Sequence, residues 1–340
     1  MIKYLTEAEK QDSRELWEEA FPEDSRAFDD YYYKEKVEKN RILALVEEPG
    51  QIQAMIQMNP YLVQAGDFRW TVDYLVGVAT RKEKRHRGYM RRLLQQMMED
   101  MRAASMPFCF LMPAAEAIYR PFGFTYIFDQ PRWKLRPSAE NRLRRKEASS
   151  MAAEAAGWMT DWLQNRYQVF AVRDEAYVKI LLAELASEDG VLEALYDGER
   201  LSGFQADWGW NKKEQRLLYA DASYIEETAE PKPAIMARII TPEECVKPIC
   251  LKAGELEELK VNLWLEDPLL PQNQGLWLWH LNHETSWLER AEIPVSGGAS
   301  AKLTITELTS WLFGYSVPET VRELDEKIET LQGVFLDEVV

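Results

Sequence analysis

Apolar positions recur at helical spacing from Leu5 to Phe21, where Leu5, Ala8, Leu16, Trp17 and Ala20 stand among acids and the pattern stops at Phe21-Pro22. A helix is expected there. Residues 41–46, 52–58 and 61–63 are short apolar runs set off by turn residues, the signature of an antiparallel meander, and 68–80 is a longer strand. Next comes a basic stretch, 81–92, leading into a helix with Met90, Leu93, Leu94, Met97, Met98 and Met101 on one face. A buried strand follows at 108–112, and 118–128 reads as a short helix and a strand.

Beyond Pro137 the composition shifts to Ser, Ala, Glu, Asn, Lys and Arg as far as Gly157, which marks a partly helical junction between domains. Residues 165–222 repeat a smaller mixed pattern: Val169 to Val172, a helix near 176–185, and strands at 191–196 and 201–210 joined by Asp197-Gly198. An Asp-Gly pair between two strands predicts a hairpin. From about 234, further alternating strands and a helix at 307–313 predict a small α+β unit. Nine of the twelve tryptophans lie after residue 157, so this half has the bulk for a packed interior. The division expected is 1–135, 136–232 and 233–340.

Composition narrows the classes. A chain of 340 residues, 46% apolar and 29% charged, has room for two or three globular domains and is neither disordered nor fibrous. Its net charge of -16 argues against nucleic acid or an anionic membrane as partner and suits a cationic small molecule. The first ten residues lack a basic-then-apolar leader and no run approaches 18 apolar residues, so a soluble cytoplasmic protein is expected. Cys109, Cys245 and Cys250 form no CxxC and are expected as buried reduced thiols, and no metal site is expected. His280 and His283 match neither HExxH nor HxxEH and read as structural.

The chemistry concentrates in Leu75-Val-Gly-Val-Ala-Thr-Arg-Lys-Glu-Lys-Arg-His-Arg-Gly-Tyr-Met-Arg-Arg. A strand ends near Ala79, a basic turn holds Arg85-His86-Arg87-Gly88, and a helix opens at Tyr89. Free amides at the helix start, its dipole and a glycine that lets backbone approach closely make an anion site suited to a pyrophosphate. Residues 81–92 carry +6 inside an acidic chain, which fits a small anion better than a duplex.

This Arg-x-x-Gly-x-Met turn after Val78-Ala79-Thr80 resembles the acetyl-coenzyme A motif of the GNAT N-acetyltransferases, with Met90 where a small residue is usual. Tyr119-Arg-Pro-Phe-Gly-Phe124 resembles the end of a GNAT core, in which a tyrosine sits beside the thioester sulfur. The whole layout is similar to the Eis (enhanced intracellular survival) type: a GNAT domain, a degenerate second copy, and a sterol-carrier-protein-like domain whose C-terminus enters the first active site. The apolar end, Val334 to Val340, fits such a docked tail.

The resemblance implies an α/β (α+β) fold of tandem mixed-sheet domains plus a terminal α+β domain, and acetyl-CoA as cofactor. Val78, Ala79, Thr80, Arg85, His86, Arg87, Gly88, Tyr89, Met90 and Arg91 would bind that cofactor. Tyr119 would be the general acid and the carboxylate of Val340 the base. Asp24, Asp73 and Glu338 are candidates to attract a cationic amine such as an aminoglycoside or polyamine, and a homo-oligomer, even a hexamer, is implied. The alternative is a non-catalytic CoA- or lipid-binding protein built on the same domains.

Overall fold

The structure is a computed structural model that describes residues 1–48, 50–254 and 256–338. In chain order the first part contains β1 (Ile2–Tyr4), α1 (Arg14–Ala20), α2 (Arg26–Tyr31), β2 (Arg41–Val46), β3 (Ile52–Ala65), β4 (Phe68–Thr80), α3 (Tyr89–Ala103), β5 (Phe108–Leu111), α4 (Glu116–Tyr119) and β6 (Thr125–Leu135). The middle part contains α5 (Pro137–Glu140), β7 (Arg144–Glu147), α6 (Ala152–Gln164), β8 (Val169–Ala171), α7 (Glu175–Ser187), β9 (Val191–Asp197), β10 (Arg200–Trp208) and β11 (Glu214–Ala220). Then follow β12 (Ile225–Ile239), α8 (Pro242–Cys245), β13 (Cys250–Leu251), β14 (Glu258–Glu266), β15 (Gly275–Asn282), β16 (Ser286–Arg290), β17 (Ala299–Thr304), α9 (Ile305–Leu312), α10 (Arg322–Asp325), β18 (Ile328–Glu329) and β19 (Val334–Phe335).

The fold is mixed α/β. The principal sheet runs β1-β2-β3-β4-β5-β12-β6, and β8 and β19 extend it beside the second half of β3. A second sheet, β11-β10-β9-β7, carries α6 and α7, and a third, β16-β15-β14-β17, is joined to the principal sheet through α9, which packs on β12 and β6 as well as on β17. Strand β12 pairs with β6 from Ile225↔Leu135 to Ala237↔Thr125 and, at its far end, with β5 from Met236↔Leu111 to Ile239↔Phe108. Residues 136–224 are thus an insertion between the two arms of one long antiparallel pair, and position 232 falls inside β12.

Three elements differ from expectation for local reasons. The segment expected to be helical from Leu5 opens in a turn, because Thr6 donates through N and Oγ1 to the Glu9 carboxylate at 3.0 and 2.9 Å; the helix proper is α1. The strands expected at 52–58 and 61–63 are one strand. Pro60 sits where β2 has already left, after Met58, and β8 has not yet joined, at Val63, so its missing N–H costs no ladder bond on that edge. Lastly, Val169-Phe170-Ala171 joins the principal sheet instead of the middle one, because all three residues are buried there between β3 and β19.

Helices α1 and α2 cover one face of the principal sheet through Leu16, Trp17, Phe28 and Tyr31. Helix α3 covers the other through Leu93, Leu94, Met97, Met98 and Met101. The tail packs where β6 meets the middle part of the chain. Phe335 lies among Trp133, Trp162, Tyr167 and Tyr219, with ring centroids 4.8–6.0 Å away, and Leu336 is fully buried.

Candidate active site

Strands β4 and β5 are parallel neighbours that share one register pair, Tyr74↔Phe110. Past it the ladder ends, and the backbone of residues 75–80 stays paired only to β3, which leaves a wedge between two parallel strands. The wedge is reinforced by a bulge. Register slips opposite Met55 to Gln57, and Gly77 takes φ +57 with the Trp17 ring pressed against it, so close that a Cβ would stand 2.8 Å from the indole. Only glycine meets both demands. Val78 and Thr80 line the open edge half-buried, whereas the side chain of Ala79 turns away into the α1 face, so Ala79 offers its backbone alone.

The basic turn follows at once. His86 adopts φ +62 and Gly88 φ +75, and α3 starts at Tyr89, with the first intrahelical bond from Arg92 N to Gly88 O at 3.1 Å. The amides of residues 89–91 precede that bond and are free donors. Nothing lies within 4 Å of where a Gly88 Cβ would be, so the turn is a shallow open cradle. Acids fix its rim: Arg81 reaches Glu19 at 3.0 Å, while Lys84 and the Tyr89 hydroxyl hold Glu47 at 2.6 and 2.8 Å. Among the described residues Arg85, Arg87 and Arg91 have no carboxylate partner, and Arg85 and Arg87 are exposed cations beside the cradle. Such a donor set fits a pyrophosphate. Met90 departs from the usual small residue without blocking the cradle, because its side chain packs inward with the α3 core.

Tyr119 ends α4 on the same side of the sheet. Arg91 stacks over Phe122 at 5.2 Å and Tyr119 meets Phe124 edge-on at 5.9 Å, which ties the turn and the tyrosine into one neighbourhood. The Tyr119 ring is 8% exposed, and its hydroxyl makes no hydrogen bond to any described residue. Burial pushes its pKa up to about 12. The phenol is therefore a firm proton carrier at neutral pH, and a weaker acid than its ordinary value implies.

The tail runs parallel to β8 and delivers two carboxylates into the interior. Arg173, with no exposed side-chain surface, binds Asp337 at 2.5 Å and Glu338 at 2.7 Å; Tyr219 also donates to Asp337 and Tyr177 to Glu338. The charge of Glu338 acts in turn on the phenols of Tyr61 and Tyr74, whose pKa values burial already raises. Tyr74 is the residue of the single β4–β5 pair, so the last described part of the chain lies by the root of the wedge. Val340 itself lies outside the described residues.

The other candidate acids are dispersed. Glu338 is committed to Arg173 and Tyr177, and Asp73 is buried and paired with Arg41 at 2.5 Å. Asp24 sits half-buried between α1 and α2, accepting from Trp17 Nε1 at 3.0 Å, and burial outweighs that bond to raise its pKa from 3.8 to about 6. A carboxyl whose pKa is raised by folding adds stability only while protonated; that contribution is lost as pH rises from about 4 through about 6. Asp24→Asn is therefore expected to exceed the parent in stability at pH 8 by on the order of 1 kcal/mol, after allowing for solvent screening, and to match it at pH 4. Urea melts at the two pH values check this, and an equal gap at both would remove burial as the cause.

Cys109 and Cys245 are buried free thiols as expected, but Cys250 is partly exposed, because β13 and β18 form only a two-residue ladder over it. His280 stacks on Trp287 at 4.5 Å and contacts Glu289, a surface strand contact. Among the described residues no three His, Cys, Asp or Glu gather as a metal cluster would. No described helix is long and apolar enough to cross a membrane.

Residues 1–127 match the acetyltransferase (GNAT) domain family and residues 250–333 the sterol carrier protein domain family. No curated protein matches the chain. Among solved structures, a conserved protein of unknown function from Enterococcus faecalis, described as a probable N-acyltransferase, superimposes with a TM-score of 0.77 at 17% identity over 100% of this chain and 99% of that one. A GCN5-related N-acetyltransferase from Kribbella flavida gives 0.75 at 17% identity over 100% and 98%. Eis1 from Mycobacterium abscessus gives 0.72 at 11% identity over 100% of both chains. At these identities the likeness is one of fold, and it extends from end to end.

Proposed function

We propose, from the premise that the chain is a GNAT-family N-acetyltransferase with the Eis-like build, that it moves the acetyl group of acetyl-CoA directly to the amine of a small molecule that is cationic in solution. The division 1–135, 136–232 and 233–340 belongs to this reading, with β12 lending its second half to the first sheet. The observation that carries it is the junction of the wedge, the open cradle and an unpartnered tyrosine on one side of one sheet.

In this reading residues 78–80 present backbone to the pantetheine, and the amides of 89–91 with Arg85 and Arg87 hold the pyrophosphate. His86 and Gly88 supply the left-handed turn that aims those amides. An ammonium has no lone pair to attack with, so a base must act first. That role is assigned to the Val340 carboxylate, which takes the substrate proton directly or through water, and Tyr119 returns a proton to the departing thiolate. The acceptor classes implied by the resemblance, aminoglycosides and polyamines, form the first arm of an acceptor panel.

The test is thiol release from acetyl-CoA with that panel. Release above background hydrolysis with an amine supports the reading; tight acetyl-CoA binding with no release for any amine would sink it. Arg85→Ala with Arg87→Ala is expected to raise the KM for acetyl-CoA about tenfold, more at low salt than at high, with kcat little changed, because those cations act on binding and not on the transferring bond.

A further inference from the structure

One loop of the sterol-carrier-like part, residues 267–273 between β14 and β15, reaches the Tyr119 side of the principal sheet. Its sequence, Asp267-Pro-Leu-Leu-Pro-Gln-Asn273, holds two prolines that stiffen it and ends in the two polar side chains that fold it. The Asp267 carboxylate accepts from the loop's own amides of Leu269 and Leu270 at 3.3 and 3.2 Å, and Asn273 Nδ2 closes the ring by donating to it at 2.9 Å. Asp267 is fully buried, so its charge needs a partner. Arg238 on β12, also fully buried, supplies one through Nη2 at 2.7 Å.

We propose that Asp267 is a positioning residue for acetyl transfer: through its loop and Arg238 it fixes Tyr119 relative to the cradle at the start of α3. The proposal rests on the transferase reading and deepens it, because it makes the third part of the chain a component of the reaction centre.

Three sets of contacts converge. The first runs to the turn that bears the tyrosine. A Cβ at Gly123 would stand 3.5 Å from Arg238 Nε and 3.2 Å from the Ile305 side chain at the start of α9, so the backbone between Tyr119 and Phe124 rests directly on the guanidinium. Among the described residues Asp267 is the one carboxylate bonded to that guanidinium, and without it nothing of opposite charge holds Arg238 under the turn.

The second runs to the helix that opens at the cradle. Gln95 Nε2 donates to Leu269 O at 2.7 Å, and Arg102 Nε, on the same face of α3, donates to Asn273 Oδ1 at 2.9 Å. The loop thus grips α3 at its middle and in its last turn. The third is packing. Leu270 is fully buried, and with Leu269 it lies in the apolar cluster that also contains Tyr119, Phe122, Phe124 and the inner face of α3. Cradle, tyrosine and loop are held as one body, and a shift of about 1 Å at a reacting group costs on the order of a hundredfold in rate.

The test is steady-state kinetics with acetyl-CoA and the amine that the wild type turns over fastest, together with calorimetry of acetyl-CoA binding. Asp267→Asn keeps the shape and removes the charge; it is expected to lower kcat about tenfold or more while the Kd for acetyl-CoA stays within about twofold. The cradle keeps its affinity because its donors come from its own stretch of chain. In a Tyr119→Phe background the same substitution is expected to lower kcat by less than about twofold, since no hydroxyl is left to misplace. A merely structural role would cost the same factor in both backgrounds.

If Asp267→Asn does not fold, Gln95→Ala with Arg102→Ala decides, because it frees the loop from α3 and leaves the buried pair intact. Its expected kcat loss is about threefold or more, with the same dependence on Tyr119. A wild-type kcat in the folded variant, or an equal fractional loss in both backgrounds, overturns the proposal. A wild type that releases no thiol with any amine removes the transferase reading and the positioning role with it, whereas an active wild type with equally active variants removes the positioning role alone.

Discussion

Arg173→Leu is expected to lower the free energy of unfolding by about 3–5 kcal/mol, the cost of leaving buried charge without its partner. The guanidinium holds Asp337 and Glu338 together, and those residues are 6% and 1% exposed. Its Cζ also lies 4.3 Å from the centre of the Tyr177 ring, a cation–π contact that the substitution removes as well. The loss is expected to begin locally. With two unpaired carboxylates the tail leaves its groove, the parallel β19–β8 pair opens, and Phe335 comes out from among Trp133, Trp162 and Tyr167. Hydrogen exchange should show this as lost protection around residues 334–338 before global unfolding. The control is Arg173→Leu with Asp337→Leu and Glu338→Leu, because replacing a whole buried ion cluster by apolar residues is often neutral or better. Recovery of most of the stability in that triple variant is the expected result, and a deficit unchanged from the single variant would mean that packing, not charge, explains the loss. Thiol release should stay low in the triple variant if the tail's polar end has a part in the reaction.

The order of elements in the first part was legible because period-2 and period-3.6 patterns are strong there: β2, β4, α3 and β5 stand within a residue or two of where alternation placed them. The cradle was legible for a different reason. A glycine in a basic turn between a strand and a helix is a local device, and all of its atoms come from one stretch of chain. What escaped the sequence depends on partners distant in it. The insertion of β12 between β5 and β6 joins residues about ninety positions apart or more, and nothing in Ile225 to Ile239 distinguishes a strand of the first sheet from one of the third. The Arg173 cluster is of the same kind, since it gathers side chains from α7, β11 and the tail. One local signal was available and unread: Gly77 inside an apolar strand pattern marks a bulge, and that bulge opens the wedge. The aromatic run Tyr31 to Tyr33 reads as packing from its composition, and it is packing.

Tyr119→Phe is expected to reduce kcat by about 10²–10⁴-fold while acetyl-CoA binding and fold stability hold, and the reason lies in what surrounds the hydroxyl. It bonds to no described neighbour, so its removal orphans no partner and is expected to change stability little. The ring's own contact, edge-on to Phe124 at 5.9 Å, survives the substitution. Activity and stability therefore separate cleanly at this position. Acidity sets the size of the effect. A free thiol near 8.5 and an ordinary phenol near 10 are close enough for proton transfer, but burial takes this phenol to about 12, and in water that donation would run uphill. It is rescued only if the thiolate leaves in equally apolar surroundings, and burial raises a thiol in the same direction: Cys109, in the neighbouring strand, is itself raised by desolvation. Two consequences can be checked. The rate should show no fall assignable to Tyr119 between pH 7 and 10, because the phenol stays protonated across that range. Acceptors and thioesters should also differ in their sensitivity to Tyr119→Phe: an acetyl thioester of a more acidic thiol, whose anion needs no proton to depart, should recover much of the lost rate. If the Phe variant is equally slow with both thioesters, the hydroxyl's part lies in positioning the acetyl group and not in protonating the leaving sulfur.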